Sequence, residues 1–105
     1  MLLVDALPDF ALELWSALAS SGHIDLADQV PNLVIDDPCP CGDSFCSSFY
    51  TGDQPLGAWG PGLRSVWVQS MSGVVVLDVV DDVIRYVEVI DRPELHALVG
   101  AAAHE

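Results

Sequence analysis

The spacing of apolar and polar residues changes along this chain, and each change marks an element. From Gly73 to Ile90 the sequence GVVVLDVVDDVIRYVEVI is dominated by valine, isoleucine and leucine. β-Branched side chains lose χ1 freedom in a helix and pack well on a pleated surface, so this stretch reads as strand. Asp81-Asp82 interrupts it as a two-residue turn, because Asp tolerates the positive φ of a type I′ turn. The expected register sets Val80 against Val83, Val79 against Ile84, and Asp78 against Arg85, an acid across from a base. Val74, Val76, Val80, Val83, Val87 and Val89 are expected on one face. Val75, Leu77, Val79, Ile84, Tyr86 and Ile90 are expected on the other. Two apolar faces call for cover on both sides, or for an oligomer over the second.

The flanks are patterned around this hairpin. Pro8–Ser21 has helical period, with Phe10, Ala11, Leu14 and Leu18 on one stripe, Trp15 at its border and Gly22 as a stop. Ile24–Gln29 reads as a short second helix, and Leu33–Ile35 as an edge strand. Ser44–Thr51 alternates as a strand that turns Phe45 and Phe49 to the core, and Arg64–Ser70 reads as another, with a turn over Ser70–Gly73. Asp91 and Glu94 have capping-box spacing before a last helix whose stripe is Leu95, Leu98, Val99 and Ala102. The pattern predicts one α+β domain over residues 1–105. Its mostly antiparallel sheet is a meander of 64–70, 73–80 and 83–90 with 44–51 as a fourth strand, and N- and C-terminal helices pack on it.

Charge narrows the partners. Sixteen acids face three arginines and no lysine, a formal net charge of −13. Such a chain repels nucleic acid and anionic membranes. It suits a basic protein partner, and a homo-oligomer stays open. The first residues, MLLVDALPDF, contain no basic segment and two acids, unlike a signal peptide, and no apolar run reaches the roughly 18–20 residues of a membrane span. A cytoplasmic, bacterial protein is expected. The loop GDQPLGAWGPG, Gly52–Gly62, sets Leu56 and Trp59 among glycines and prolines, and reads as a plug over the core or a binding handle. Trp59 and the paired acids Asp36, Asp37, Asp81 and Asp82 are the candidate partner-binding residues, the acids also reading as solvated turn residues.

One local signature carries chemistry. Cys39, Cys41 and Cys46, the only cysteines, fall in PCPCGDSFC. In an intracellular chain such clustering suggests metal binding or redox work rather than a disulfide framework. Pro38 and Pro40 hold their preceding residues extended, an extended Cys-x-Cys points both thiols to one side, and Gly42 can turn the chain to return Cys46. Three thiolates would suit zinc, with a fourth ligand from a carboxylate, His23, His96 or His104. The spacing selects none of these; among the histidines His23 is the candidate fourth ligand. The spacing is not the common C-x₂-C knuckle, so a reversible disulfide with one odd thiol, or three reduced cysteines in a turn, stand beside it. His96 otherwise reads as a surface or capping histidine. No nucleophile–base arrangement is visible, so the chain leans away from being an enzyme.

The segment CPCGDSFCSSFYT, with GAWGPG and LDVVDD…VEVIDRPEL after it, resembles small, acidic, uncharacterised proteins of actinobacteria, over most of the chain from about residue 33. That resemblance implies no activity and no catalytic residue. Size, charge and α+β pattern are also similar to small acidic immunity proteins of toxin systems, an analogy of class. Two functions follow as expectations: a non-catalytic, acidic protein-binding domain, of inhibitor or immunity type, or a small zinc or thiol-redox module on Cys39, Cys41 and Cys46.

Overall fold

The computed structural model describes residues 1–41, 43–55, 57–69 and 71–103. The expected turning residue Gly42, the loop residue Leu56, Ser70 of the expected strand end and turn, and the candidate ligand His104 lie outside them.

The fold is α+β. Three short helices open the chain, α1 (Leu3–Ala6), α2 (Pro8–Ser20) and α3 (Ile24–Ala27), followed by a 3₁₀ turn at Val30–Asn32. Five strands follow: β1 (Asp37–Pro38), β2 (Phe49–Tyr50), β3 (Leu63–Trp67), β4 (Val74–Val80) and β5 (Val83–Ile90). Helix α4 (Pro93–Ala103) closes the described chain. The sheet is antiparallel throughout, in the order β1-β2-β5-β4-β3. No helix among the described residues is long and apolar enough to cross a membrane.

The hairpin β4–β5 is the centre of the sheet. Asp81 and Asp82 both hold positive φ, 50° and 67°, which closes the turn. Val80 pairs with Val83 and Val79 with Ile84, as expected, but Asp78 then faces Tyr86 rather than Arg85. Arg85 is a β-bulge, an extra residue that shifts the alternation by one. Strict alternation from Ile84 would turn Tyr86, Glu88 and Ile90 inward. The bulge instead buries Ile84, Val87 and Val89 together, opposite Val79, Leu77 and Val75. The expected Asp78–Arg85 cross-strand pair is therefore absent, and Ser65 Oγ donates to Asp78 at 3.4 Å.

One core lies between this inner face and the helices. It joins Leu3, Phe10, Leu14, Leu18, Leu26, Val30 and Ile35 to Phe49, Leu77, Val87 and, from α4, Leu95 and Val99. Gln29 pins the hairpin end to the helical layer, donating to the Asp82 carbonyl at 2.7 Å and accepting from the Ile84 N–H at 2.9 Å. Arg92 does the same at the other end: its guanidinium bonds Glu94 at 2.7 Å and Glu13 of α2 at 3.3 Å, and lies over the Phe10 ring. The expected cap differs here. Helix α4 begins at Pro93, Asp91 has φ of 63°, and Glu94 turns to Arg92 rather than closing a box with Asp91.

Three elements are shorter than the pattern suggested. The segment 44–51 forms ladder pairs only at Phe49–Tyr50, with a single bridge from Cys46 to Ile90. Phe49 is fully buried, whereas Phe45 is about half exposed, because the chain is still bending where alternation was assumed. The strand after the loop ends at Trp67. Val34, from the expected edge strand 33–35, makes one bridge to Leu2.

The outer sheet face is divided. At the β2–β5 end the chain covers itself, with Trp59 of the Gly52–Gly62 loop against Tyr50 and Tyr50 against Tyr86. At the β3 end Leu63 and Trp67 are exposed.

Candidate metal centre

The cysteines occupy the connection between β1 and β2. Pro38 sits on an edge strand, where a missing N–H does no harm, and the Cys39 N–H donates to the Ser48 carbonyl at 2.9 Å. The Cys46 N–H bonds the Asp43 carbonyl at 3.1 Å, and the neighbouring Ser47 N–H bonds the Val89 carbonyl at 2.8 Å. The first two bonds close the bend on itself, and the third ties its second end to β5. Cys39 is half-buried, Cys46 buried, and Cys41 exposed at the tip.

This closure brings all three sulfurs within 4.8 Å of one another. Zinc with Zn–S bonds of about 2.3 Å needs its sulfurs roughly 3.8 Å apart, so each pair has at most about 1 Å to close. Three close cysteines are thus able to hold a metal ion. Among the described residues no histidine or carboxylate joins them.

The surroundings set the charge state. Burial pushes the Cys39 thiol up, but a hydrogen bond from Tyr86 and others from the Cys41 N–H and the Cys41 and Cys46 thiols outweigh it and hold Cys39 below its ordinary value. For Cys41 a backbone bond from Asp43 pulls down, while the Cys39 and Cys46 side chains act the other way and push it up to about 11. Burial and the bond to Cys39 push the Tyr86 hydroxyl up, so it stays a donor. Cys46 donates to Ser48 Oγ at 3.2 Å, and Ser48 Oγ accepts from the Val89 N–H at 2.8 Å. The surroundings of Cys39 thus favour its thiolate form, and metal binding at such thiols displaces their protons.

The remaining candidates lie elsewhere or play other parts. His23 sits at the turn before α3 and does not join the sulfurs. His96 lies nearer: its Nδ1 is 2.9 Å from the Cys46 carbonyl, and it lines a cavity of about 180 Å³ with Cys39, Asp43 and Cys46. Trp59 is half-buried against Tyr50, at 6.2 Å between ring centroids. Asp36 and Asp37 lie at the start of β1, and Asp37 accepts from Gln54 at 3.1 Å. Asp81 and Asp82 form the hairpin turn, with Arg64 3.6 Å from Asp82.

Sequence reasoning missed Tyr86 and Ser48. Plain alternation puts Tyr86 on the face of Ile84, and only the bulge at Arg85 turns it toward Cys39. One signal was readable: Ile84 and Val87 are three apart with charged Arg85 between them, a spacing that regular alternation cannot bury on one face.

Comparison with protein-family models, with curated proteins and with solved structures gives no match.

Proposed function

We propose that this chain is a small metal-binding module whose ligands are Cys39, Cys41 and Cys46, and that zinc is the resident ion. The observation that carries it is the approach of three sulfurs to within 4.8 Å. Zinc takes thiolates readily and asks only for a tetrahedron, which a short bend supplies more easily than a planar or octahedral set. With Cys41 exposed, the fourth position opens toward solvent, where water or an outside ligand completes the tetrahedron. Tyr86 and Ser48 are the outer partners that orient two of the sulfurs. The metal would clip the bend to the sheet, where few apolar side chains do so.

Protein purified without chelator should hold about one zinc per chain by elemental analysis, and chelator should lower its melting temperature. Cys39→Ser should lose the metal. A chelator-insensitive melting temperature in metal-free protein contradicts the proposal, and a disulfide among these residues in its place gives the thiol-redox reading.

A second reading, a non-catalytic acidic domain that binds a basic protein, is favoured by a different observation: an apolar ridge of α2 stands exposed beside Asp9 and Glu13.

A further inference from the structure

Helix α2 carries two apolar stripes where a surface helix needs one. The inward stripe is Phe10, Ala11, Leu14, Ala17 and Leu18, all buried. Pro8, Leu12 and Trp15, at i, i+4 and i+7, fall on a second line. Leu12 is 64% exposed and Trp15 45%. On one side of Leu12 lies a groove of about 400 Å³ walled by Val4, Pro8, Trp15, Val30 and Pro31. On its other side lies a groove of about 450 Å³ lined by Asp9, Glu13, Ser16 and Ser20. An apolar trough and a trough edged by two carboxylates therefore run along one ridge.

We infer that this ridge docks a basic amphipathic helix of a partner protein, its apolar anchors in the Trp15 groove and its lysines or arginines along Asp9 and Glu13. The inference rests on the reading of the chain as an acidic binding domain and names its surface and the shape of its ligand. A helix fits because its anchors recur at the spacing of Pro8, Leu12 and Trp15 and because a groove between packed helices accepts a rod. Tryptophan in the wall of such a groove supplies large contact area at small entropic cost. Charge selects the partner. The three arginines lie at Arg64, Arg85 and Arg92, outside α1–α3, and the chain has no lysine. Arg92 meets Glu13 from the core side, while Asp9 stays exposed. A second copy of this chain would bring acid against acid, so the basic residues come from another protein.

The test uses a helical Leu/Lys peptide of about 18 residues with leucine at every third or fourth position. Its controls are a scrambled peptide of the same composition and a Leu/Glu counterpart. In a Trp59→Phe, Trp67→Phe background Trp15 is the sole tryptophan. Its emission should shift to the blue with the amphipathic Leu/Lys peptide alone, and the affinity should fall as salt rises. By calorimetry Leu12→Ser should weaken binding about tenfold, at an unchanged melting temperature. Asp9→Lys, a change at an exposed site, should also weaken it, which keeps the test valid if Leu12→Ser disturbs folding. Binding that survives both substitutions overturns this surface while leaving the binding-domain reading intact. Equal binding of the scrambled peptide overturns the helix. Absence of binding to any basic peptide overturns both the surface and that reading, and self-association abolished by Leu12→Ser overturns the basic partner in favour of a second copy.

Discussion

The hairpin β4–β5 and the cysteine bend are neighbours held in place by different means. Leu77, Val79, Ile84, Val87 and Val89 are buried on a ladder of paired backbone, so hydrophobic burial and the ladder's hydrogen bonds together fix their positions. The bend from Cys39 to Cys46 has an exposed tip, an exposed Phe45 and a few hydrogen bonds at its ends. Ordering a loop costs about 1–2 kcal/mol per residue in backbone entropy, and the bend has little apolar burial to set against it. The contrast teaches that the core needs no ligand, whereas the bend gains most from one.

Leu77→Ala gives the largest effect in that comparison. The side chain is fully buried in the sheet centre, and its loss should destabilise by about 3 kcal/mol, read by chemical denaturation. Zinc content of the fraction that stays folded should not change, because the bend and the core are held separately.

Tyr86→Phe comes next and works the other way. It keeps the ring against Tyr50 but removes the donor to Cys39. The Cys39 thiol then rises, protons compete better with zinc, and affinity at neutral pH should fall about tenfold. The sign follows from the protons displaced. Metal binding is strongest at high pH and weakens as pH drops, by about tenfold per pH unit for each thiol that is still protonated. The variant's profile should be displaced to higher pH relative to the natural chain, in a competition assay with a zinc indicator.

Deletion of Arg85 is milder, and its mildness is the point. Removing the bulged residue leaves Ile84 inward, Tyr86 outward and Val87 inward by plain alternation. The cost should be about 1 kcal/mol, from the bond that the Thr51 N–H makes to the Arg85 carbonyl. Loss of folding would mean that the alternation does not run as described.

The smallest effect is at Glu94. Its bond with Arg92 holds its carboxyl below the usual carboxylate range. A depressed carboxylate adds stability above its unfolded value and loses it as pH falls through the folded one. Glu94→Gln should therefore be slightly less stable than the natural chain near neutral pH and match it in acid, by thermal melts across that range.

The parts of the fold that were legible are those with strong periodicity. Helix α2 and the strands β4 and β5 have their expected bounds to within a residue, and α2 and β4 also bury the expected stripe, whereas the faces of β5 beyond Ile84 are exchanged by the bulge. Phe45 and the segment before Phe49 were misread because period-2 alternation persists in the sequence where the backbone bends. The site was half legible. Clustering of Cys39, Cys41 and Cys46 announced it, but the chain turns already at Pro40 and Cys41, where an extended Cys-x-Cys was expected. Tyr86 was hidden by a bulge, a tertiary feature that depends on which strand pairs with which. His96 at the Cys46 carbonyl was hidden because α4 reaches the bend only through the packed fold.

Native mass spectrometry of the chelator-free protein, with thiol alkylation before and after chelator, bears most directly on the three-sulfur centre. One zinc per chain, with all three cysteines protected until chelator is added, is the expected result. A metal-free chain whose three thiols are alkylated at once, with or without chelator, would contradict it.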